Sequence, residues 1–516
     1  MRRRRFLASS VLGLPLVFDR VPFALGRHLW RAATGAEASG RVLVLIQLQG
    51  GNDGLNALVP LDSYDVLAEL RGGLLVPTAD LVPLTDSLAL HPALAALKGG
   101  WDDGRLRIVQ GVAYPDQNRS HFRSSDIWHT GSGSREQLRT GWLGRHFAHA
   151  HPDYPADYPS AGYPDPFAVS LGVSLSQTCE GEAASFGFGV SDPFDAVAID
   201  DQSDPGRAGT LRSRELDFVR TAIAQANRYG AVVRERVLAG RTVAAYPDSA
   251  LGAQLRYVAQ MISGGLETSV YTVSLGGFDT HANQVEAGSP ATGVHADLLR
   301  ELAEAVAAFQ TDLGSLGLRE RVVGMTYSEF GRRIRANGSR GTDHGTAAPM
   351  LLFGDAVEAG VLGSNPTIDR AVDVSEGVAM QYDFRDVYGS ILEDWFAVEP
   401  EVIRGMLRSE YSRLPIIRRP GGEPSATRSP ASPAELRIVP TAFSTRAAVE
   451  FTLRAAGRSR LESYDVYGRQ LEVLFDRTLP AGRVTFHIDA SSYPCGPIVL
   501  RLRQGAHVAI ARGVRS

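Results

Sequence analysis

The first predicted strand lies in residues Arg41–Asn56, which have the sequence RVLVLIQLQGGNDGLN. Val42–Leu48 is an almost continuous apolar run that ends at a pair of glycines, which is typical of a buried strand in a parallel sheet. Asn52 and Asp53 follow in the loop, and open α/β sheets bind ligands at the carboxyl ends of their strands. The stretch has no GxGxxG pattern and no Lys-Ser/Thr pair, so it supports nucleotide binding only weakly.

The same alternation of strand and helix patterns continues along the chain. Three further segments are apolar or β-branched and favour strands: Arg105–Val112, Ser269–Leu275 and Arg321–Tyr327. Four segments have features typical of helices: His91–Gly100, Arg212–Ala239, Ser249–Gly264 and Val294–Leu313. Strands that alternate with helices predict an α/β domain with a mostly parallel sheet flanked by helices, and we assign it to residues 41–400.

Acidic and histidine residues follow several of these predicted strands. Asp279 and His281 flank a threonine in GGFDTHANQ, Glu329 follows the next strand, and Asp343-His344 lies in the glycine-rich stretch NGSRGTDHG. Because the carboxyl ends of parallel strands meet at one edge of a sheet, we expect these side chains and Asp53 to converge there. Carboxylates and imidazoles ligate divalent cations, with zinc, manganese, iron or calcium as candidates. The alternative is that each aspartate caps a turn and each histidine packs beside it.

A second group of polar residues lies in AYPDQNRSHFRSSDIWHTG, which follows the predicted strand Arg105–Val112. We interpret this stretch as a loop in which Ser120 is a candidate nucleophile and His121 a candidate base or metal ligand. Arg119 and Arg123 are candidates for holding an anionic group through paired hydrogen bonds. The alternative is a surface loop with scattered polar side chains.

Length and composition restrict the classes of protein. The chain has 516 residues, so we expect two or more domains. The formal net charge of −4 argues against nucleic acid as a partner, because phosphates require an excess of basic residues. The two cysteines, Cys179 and Cys495, lie far apart, which argues against a disulfide framework and a cysteine-based zinc site.

The N-terminal residues 1–38 have the order of an export signal. Arg2–Arg5 precede Phe6-Leu7 and the apolar stretch SSVLGLPLVF, and this start resembles the twin-arginine signal. The apolar run is too short to span a bilayer, and no later segment reaches that length. We therefore predict an exported protein that is periplasmic, at the cell surface or secreted, and not transmembrane after signal removal. The alternatives are a basic amphipathic tail and a membrane anchor.

The end of the chain has a different composition. Residues 418–435, RRPGGEPSATRSPASPAE, are rich in Pro, Ser and Gly and predict a linker. Residues 436–516 contain short strand-like runs separated by turn residues, which predict a small all-β sandwich. YDVYGR and LPAGRVTFHIDASSYPCGPIVLRL resemble the C-terminal sorting domain of type IX secretion cargo. The alternative is an accessory sandwich without a role in secretion.

Several motifs together carry a resemblance to a family. These motifs are LQGGNDGLN, HPAL, NRSHF, GWLGR, GGFDTHANQ, SEFGRR and GTDHG. In combination they resemble the domain-of-unknown-function 1501 family over about Arg41–Phe396. That family is similar to the alkaline phosphatase and sulfatase superfamily, which implies an α/β sandwich with two metal ions that clamp a phosphate or sulfate ester.

The resemblance also implies roles for individual residues. Asp343 and His344 match the ligands of one metal, and Asp279 and His281 match those of the other. Asp53 matches the aspartate after the first strand, and Ser120 matches the nucleophile.

The chain departs from the superfamily pattern at two places. The superfamily spaces its second Asp and His more widely than Asp279-Thr280-His281, and no histidine lies between His344 and His487. His121 and Glu329 are candidates to replace the missing ligand. We therefore predict an exported metal-dependent hydrolase of phosphate or sulfate esters. The alternatives are a non-catalytic, metal-supported binding or scaffold protein at the cell surface, and a subunit exported beside a partner protein.

Overall fold

The computed structural model describes residues 40–156, 158–172, 176–194, 226–418, 436–439, 442–453, 457–465, 469–479, 482–504 and 507–515. The predicted export signal at residues 1–38 lies outside these ranges, as do residues 419–435 of the predicted linker. Of the predicted helix Arg212–Ala239, residues 226–239 are described and are helical. Among the described residues, no helix is both long enough and apolar enough to cross a membrane.

Among its described residues, the α/β region contains twelve strands, nine α-helices with defined bounds and the helical residues 226–239. The strands are β1 (Val42–Leu48), β2 (Leu58–Pro60), β3 (Val82–Pro83), β4 (Leu88–Leu90), β5 (Leu106–Ala113), β6 (Ala168–Leu171), β7 (Gly187–Val190), β8 (Val270–Leu275), β9 (Val322–Tyr327), β10 (Ala348–Phe353), β11 (Gly360–Leu362) and β12 (Tyr382–Asp383). The helices are α1 (Gly54–Ala57), α2 (Tyr64–Arg71), α3 (Lys98–Asp102), α4 (His121–Thr130), α5 (Trp142–Ala150), α6 (Ala250–Ser263), α7 (Val294–Ser315), α8 (Phe384–Asp394) and α9 (Pro400–Leu407).

The central sheet is mostly parallel, which confirms the predicted fold class. Its strand order is β11-β5-β10-β9-β1-β8-β6-β7, and β12 pairs with β5. In the middle of the sheet β1 pairs in parallel with both β8 and β9. Strand β10 is antiparallel to both β9 and β5, so β5 runs in the same direction as β9. The carboxyl ends of β1, β5, β8 and β9 therefore lie on the same edge of the sheet.

Strand β1 is buried on both faces of the sheet, which explains its nearly continuous apolar sequence. Val44 and Ile46 pack on one face in a core that includes side chains of α6 and α7. Leu43 and Leu45 pack on the other face with side chains of α4, α5, α8 and α9. Because successive side chains of a strand point to opposite faces, this layering requires apolar residues at every position. Each such buried side chain contributes roughly 1.5–3 kcal/mol.

Residues 436–515 form a separate set of strands with their own apolar core. They are β13 (Arg437–Val439), β14 (Ala442–Phe443), β15 (Arg446–Leu453), β16 (Gly457–Asp465), β17 (Gln470–Leu479), β18 (Gly482–Asp489), β19 (Gly496–Gln504) and β20 (His507–Arg515). One sheet has the order β13-β15-β18 and the other β14-β20-β19-β16-β17. Every pairing is antiparallel except that of β14 with β20. Phe451 from one sheet and Leu500 from the other share this core, so the predicted all-β sandwich is confirmed.

Two local predictions require correction. The sequence predicts a loop over residues 113–131, but His121–Thr130 within it form helix α4. Its buried face carries Ser124, whose hydroxyl contacts Tyr114 and the Glu329 carbonyl, so the apolar period of a helix is weak there. The predicted helix His91–Gly100 begins as a 3-10 turn before it continues as α3.

Candidate metal centre

The loop after β8 presents Asp279 and His281 on the same side. The intervening Thr280 is buried, and its hydroxyl donates to Gln284 at 3.0 Å. The backbone turns tightly here, because the Thr280 N–H donates to the Phe278 carbonyl and the His281 N–H to the Asp279 carbonyl. With Thr280 directed inward, the side chains on either side of it are directed to the sheet edge.

The loop before β10 packs directly on that turn. The Thr342 N–H donates to the Thr280 carbonyl at 3.1 Å. Two glycines permit the close approach: a Cβ at position 341 would lie 2.3 Å from the His281 carbonyl oxygen, and one at position 345 would lie 2.2 Å from the Arg332 carbonyl carbon. The Asp343-His344 pair between these glycines is thereby held against Asp279 and His281.

Four side chains converge at this point. Asp279 Oδ1 lies 3.1 Å from His344 Nε2, 3.2 Å from His281 Nε2 and 3.4 Å from His121 Nε2. The Nε2 atoms of His281 and His344 are 2.9 Å apart. His121 reaches the group from the first turn of α4, and His121, Asp279 and His344 together meet the spacing of a metal-ligand cluster. These four residues are candidate ligands for one cation.

The second ring nitrogen of each histidine contacts an oxygen that can only accept a hydrogen bond. His281 Nδ1 lies 2.9 Å from Asp343 Oδ1, His121 Nδ1 lies 3.2 Å from Glu329 Oε1, and His344 Nδ1 lies 2.8 Å from the carbonyl oxygen of Arg119. An Nδ1–H that donates to each oxygen satisfies all three contacts and leaves each neutral ring with an Nε2 lone pair. The three Nε2 lone pairs and the Asp279 carboxylate then face one another. Partners of this kind orient the histidine ligands of metals in proteins.

The Nε2 atom of His121 supports this interpretation independently. It is buried, and within the part of the chain that the structure describes its contact with Asp279 Oδ1 at 3.4 Å is not a hydrogen bond. A buried polar atom without a partner costs roughly 1–3 kcal/mol, so its retention calls for an explanation. A cation shared with Asp279, His281 and His344 satisfies it.

Protonation equilibria favour the ligand forms of Asp279 and His344. Burial alone would raise the pKa of Asp279, but the hydrogen bond and charge of Arg332, together with the adjacent His344, outweigh it and lower the pKa to about 2. Burial lowers the pKa of His344, and this effect outweighs the opposing effects of Asp279 and the Arg119 carbonyl. Asp279 is therefore ionised and His344 neutral at neutral pH.

Arg332 fixes the position of Asp279 and was not predicted as part of the site. Its side chain is fully buried, and its Nη2 donates to Asp279 Oδ1 at 2.8 Å and to the Phe278 carbonyl at 2.9 Å. Nε donates to the Gly51 carbonyl and Nη1 to the Thr342 carbonyl, each at 2.7 Å. One guanidinium thus joins the loop after β1, the loop after β8 and the loop before β10. The motif SEFGRR contains this arginine, but nothing in its local pattern indicates these distant acceptors.

Asp53 lies outside the converging group, although it was predicted as a metal ligand. Both of its carboxylate oxygens lie 2.9 Å from Arg71 Nη1, and Gln284 Nε2 donates to Oδ2 at 2.7 Å. The side chains of Asp53 and Arg71 are 1% and 0% exposed. The carboxylate charge is therefore already neutralised by a buried guanidinium, and the pair joins α2 to the loop after β1.

Glu329 and Asp343 contact the candidate ligands instead of joining them, which differs from the predicted direct coordination. Besides His121, Glu329 Oε1 accepts from the Gly50 N–H at 2.8 Å. Besides His281, Asp343 Oδ1 accepts from Asn337 at 3.2 Å. Each carboxylate contacts the Nδ1 atom of its histidine, so it does not face the point at which the Nε2 atoms converge. This geometry suits Glu329 and Asp343 to orient the histidine rings. His121, which the sequence predicts as a base or a metal ligand, lies in the position of a ligand.

Comparisons with known proteins identify the family of the chain. A family model described as "Protein of unknown function (DUF1501)" matches residues 109–395, which is more than half of the chain. The chain belongs to the DUF1501 family. The match contains His121, Asp279, His281 and His344 and ends before the C-terminal sandwich. The sequence has no match among curated proteins.

Three solved structures illustrate what this DUF1501 protein is similar to. The PsFucS1 sulfatase from Pseudoalteromonas sp. is 11% identical, with a TM-score of 0.32 and coverage of 91% of this chain and 87% of that one. A protein of the alkaline phosphatase superfamily from Vibrio parahaemolyticus is 9% identical, with a TM-score of 0.31 and coverage of 91% and 79%. The phosphonate monoester hydrolase SpPMH from Silicibacter pomeroyi is 12% identical, with a TM-score of 0.28 and coverage of 92% and 88%.

The two remaining predicted catalytic residues of the DUF1501 protein lie at the start of α4. Ser120 is the exposed N-cap residue, its N–H donates to Asn118 at 2.9 Å, and its hydroxyl makes no hydrogen bond among the residues described. Arg123 is not available to hold an anion, because its guanidinium contacts Asp126 and the backbone carbonyls of residues 133, 134 and 136. Arg123 therefore anchors the segment that follows α4.

A cleft of about 670 Å³ adjoins the candidate ligands in this DUF1501 protein. It lies between α4 and the strands β1 and β8, and its volume is within the usual range of small-molecule sites. The lining residues are Gln47, Gln49, Gly50, His121, Phe122, Ser125, Asp126, His129, Leu171, Ser176, Gln177, Thr272, Val273, Ser274, Gly276, Gly277, Asp279, Tyr327 and Glu329. A ligand in this cleft would lie beside His121 and Asp279.

Proposed function

We propose that the chain is a metal-dependent hydrolase of phosphate or sulfate esters, with one divalent cation held by His121, Asp279, His281 and His344. The observation that carries this proposal is the convergence of three histidine Nε2 atoms and the Asp279 carboxylate. Because the Nδ1 atom of each histidine contacts an acceptor oxygen, each Nε2 atom can present a lone pair to the shared point. Three imidazoles and one carboxylate suit zinc, and they also suit manganese or iron. They do not suit calcium, which prefers oxygen ligands.

A single cation is proposed in place of the pair implied by the superfamily. Asp53 is a predicted metal ligand outside the converging group, and Arg71 and Gln284 occupy its carboxylate. Arg332 supplies a second fixed positive charge, because its buried guanidinium lies 2.8 Å from Asp279 Oδ1. One metal ion per chain is therefore expected in the purified protein.

Two arginines beside the centre suit the anionic group of such an ester. Arg333 Nη1 lies 3.3 Å from Asp343 Oδ2, and its buried Nε makes no hydrogen bond within the described chain. Arg119 donates from Nη1 to the Ser375 carbonyl at 2.7 Å. Burial, together with the nearby Arg333 charge, lowers the pKa of Arg119, so two positive charges lie close together here. Guanidinium groups bind phosphate and sulfate oxygens through paired hydrogen bonds.

Ser120 is the proposed nucleophile. In this mechanism Ser120 Oγ bonds to phosphorus or sulfur as the bond to the ester oxygen breaks, the alcohol leaves with a proton, and water then cleaves the bond to Oγ. A divalent cation at the centre would stabilise the negative charge that develops on the ester oxygens. Ser120 directly precedes His121, so its backbone adjoins the centre. The N-terminus of the ten-residue helix α4 favours negative charge, such as that of the ester group, beside Ser120.

Metal analysis and an ester panel test the proposal together. We expect the purified protein to contain about one zinc, manganese or iron ion and to hydrolyse 4-nitrophenyl phosphate or 4-nitrophenyl sulfate. His281→Ala and His344→Ala should each lose metal and activity while remaining folded. His149→Ala is the matched control, because His149 is an exposed histidine on α5. Unchanged metal content in the His281 and His344 variants would refute the proposed centre.

The second candidate is a metal-supported binding or scaffold protein. The observation that favours it is the Ser120 hydroxyl, which contacts none of the four candidate ligands through a hydrogen bond among the described residues. A protein that retains one metal ion but hydrolyses neither ester would support this alternative.

We further propose that the protein is exported and is organised as a signal segment at residues 1–38, the catalytic domain at 41–400, a linker at 418–435 and the sandwich at 436–516. The arginines before the apolar stretch support the export route, and the two-sheet sandwich supports an accessory or sorting role for the last domain. Co-purification of a second protein would identify an export partner.

A further inference from the structure

We infer that the cleft beside the candidate metal centre binds an uncharged saccharide and that Phe122 is the platform on which the sugar ring stacks. This inference rests on the proposed function, because it assigns the alcohol part of the ester to the cleft and the anionic part to the centre. It names Phe122 and Gln49 as residues that determine specificity, and neither belongs to the candidate ligand group.

The charges of the cleft exclude an anionic occupant. Its lining contains the carboxylates of Asp126, Asp279 and Glu329 and has no lysine or arginine among the residues described. Asp126 is paired with Arg123 and Asp279 with Arg332, whereas Glu329 accepts the Gly50 N–H, so the lining offers an anionic group no basic side chain of its own. Arg119 and Arg333 do not line the cleft. An ester in this site would therefore turn its anionic group toward the cation and its neutral part into the cleft.

The hydrogen-bonding groups of the cleft match hydroxyl-rich ligands. Three amide side chains, Gln47, Gln49 and Gln177, line it together with four serine and threonine side chains, Ser125, Ser176, Thr272 and Ser274. The side chains of Gln49 and Ser125 make no hydrogen bond within the described chain. Amides and hydroxyls provide both donors and acceptors, as neighbouring sugar hydroxyls require. An apolar ligand would leave the Gln49 amide and the Ser125 hydroxyl without partners, which costs binding energy.

Phe122 supplies the apolar surface that such a ligand needs. Its side chain is 92% exposed although it lines the cleft, and it directly follows His121 on the first turn of α4. The face of a phenyl ring carries partial negative charge, so it attracts the partly positive C–H groups on the face of a sugar ring. Because Phe122 is almost fully exposed, its side chain contributes little to packing and is free to contact a ligand in the cleft.

Binding of neutral sugars to the full-length protein tests this inference. The probes are the methyl glycosides of glucose, galactose and mannose, with glucuronate and galacturonate as anionic counterparts, and affinity is measured by calorimetry and saturation-transfer NMR. We expect at least one neutral probe to bind, and its uronate counterpart to bind at least tenfold more weakly. Phe122→Ala and Gln49→Leu should each weaken binding of the neutral probe about tenfold or more.

Tyr163→Ala is the matched control. Tyr163 is an aromatic side chain that is 43% exposed and lines a different pocket, beside Arg41 and Phe167, so its removal should change the affinity by less than twofold. The inference is overturned if none of the neutral probes binds, if Phe122→Ala binds as tightly as the wild type, or if the uronate binds as tightly as the neutral sugar.

Ester hydrolysis separates failure of this inference from failure of the proposed function. If 4-nitrophenyl esters are hydrolysed but no sugar binds, the hydrolase proposal stands and the saccharide cleft is refuted. If a neutral sugar binds and Phe122→Ala weakens it, but neither metal nor ester hydrolysis is found, the cleft is supported and the hydrolase proposal is refuted.

Discussion

Replacing Asp53 distinguishes a structural ion pair from a metal ligand. In Asp53→Ala the Arg71 guanidinium keeps its hydrogen bonds to the carbonyls of Ile334 at 2.8 Å and Arg333 at 2.5 Å, but it loses its counter-ion. Both partners are essentially unexposed, and breaking a buried pair on one side typically costs about 3–5 kcal/mol. That is a large part of the roughly 5–15 kcal/mol by which a domain is stable.

The assay is urea denaturation of Asp53→Ala and of the double variant Asp53→Ala/Arg71→Met, each with metal analysis of the folded fraction. We expect the single variant to lose about 3–5 kcal/mol of unfolding free energy, and the double variant to recover much of it because no uncompensated charge stays buried. Metal content should be unchanged in both. Loss of metal without loss of stability would refute the structural role and restore Asp53 as a ligand.

The pH dependence of stability gives a second readout for the same pair. Burial alone would raise the pKa of Asp53, but the Arg71 charge outweighs it and holds the pKa below the usual 3.8. A carboxyl group with a lowered folded-state pKa stabilises the fold above its unfolded pKa, and this stabilisation is lost as pH falls through the folded-state pKa. The wild type should therefore lose more unfolding free energy below pH 3.8 than Asp53→Ala does.

Three further predictions address the centre and export. Asp343→Asn should weaken metal binding about 10–100-fold in chelator competition, because it removes the charge that orients His281, and an unchanged affinity would contradict that role. Ser120→Ala should abolish hydrolysis of 4-nitrophenyl esters with metal content retained, and full activity would exclude the covalent mechanism. Replacement of Arg3 and Arg4 by lysine should leave precursor in the cytoplasm on cell fractionation, and normal export would exclude the twin-arginine route.

Much of the α/β sheet was predictable because its signal is local. Strands β1, β5, β8 and β9 lie within one residue of the predicted segments at each end. A strand that is covered on both faces needs apolar residues at consecutive positions, so the ends of the apolar run indicate the ends of the strand. Helix α4 is not predicted because its buried face combines Ile127 and Trp128 with Ser124, whose partners are the Tyr114 hydroxyl and the Glu329 carbonyl, so the apolar period of a helix is incomplete.

The location of the candidate site also followed from sequence, but the role of each residue did not. Chain order places acidic and histidine residues after parallel strands, and such strand ends meet at one edge. Sequence alone determined that these residue types gather there. Only the tertiary structure decided that Arg71 pairs with Asp53, that Asp343 and Glu329 contact the Nδ1 atoms of histidines, and that His121 joins the converging group. The reason is physical: whether a carboxylate binds a cation depends on the partner that reaches it, and Arg71 and Glu329 are brought to their partners by packing that no local pattern encodes.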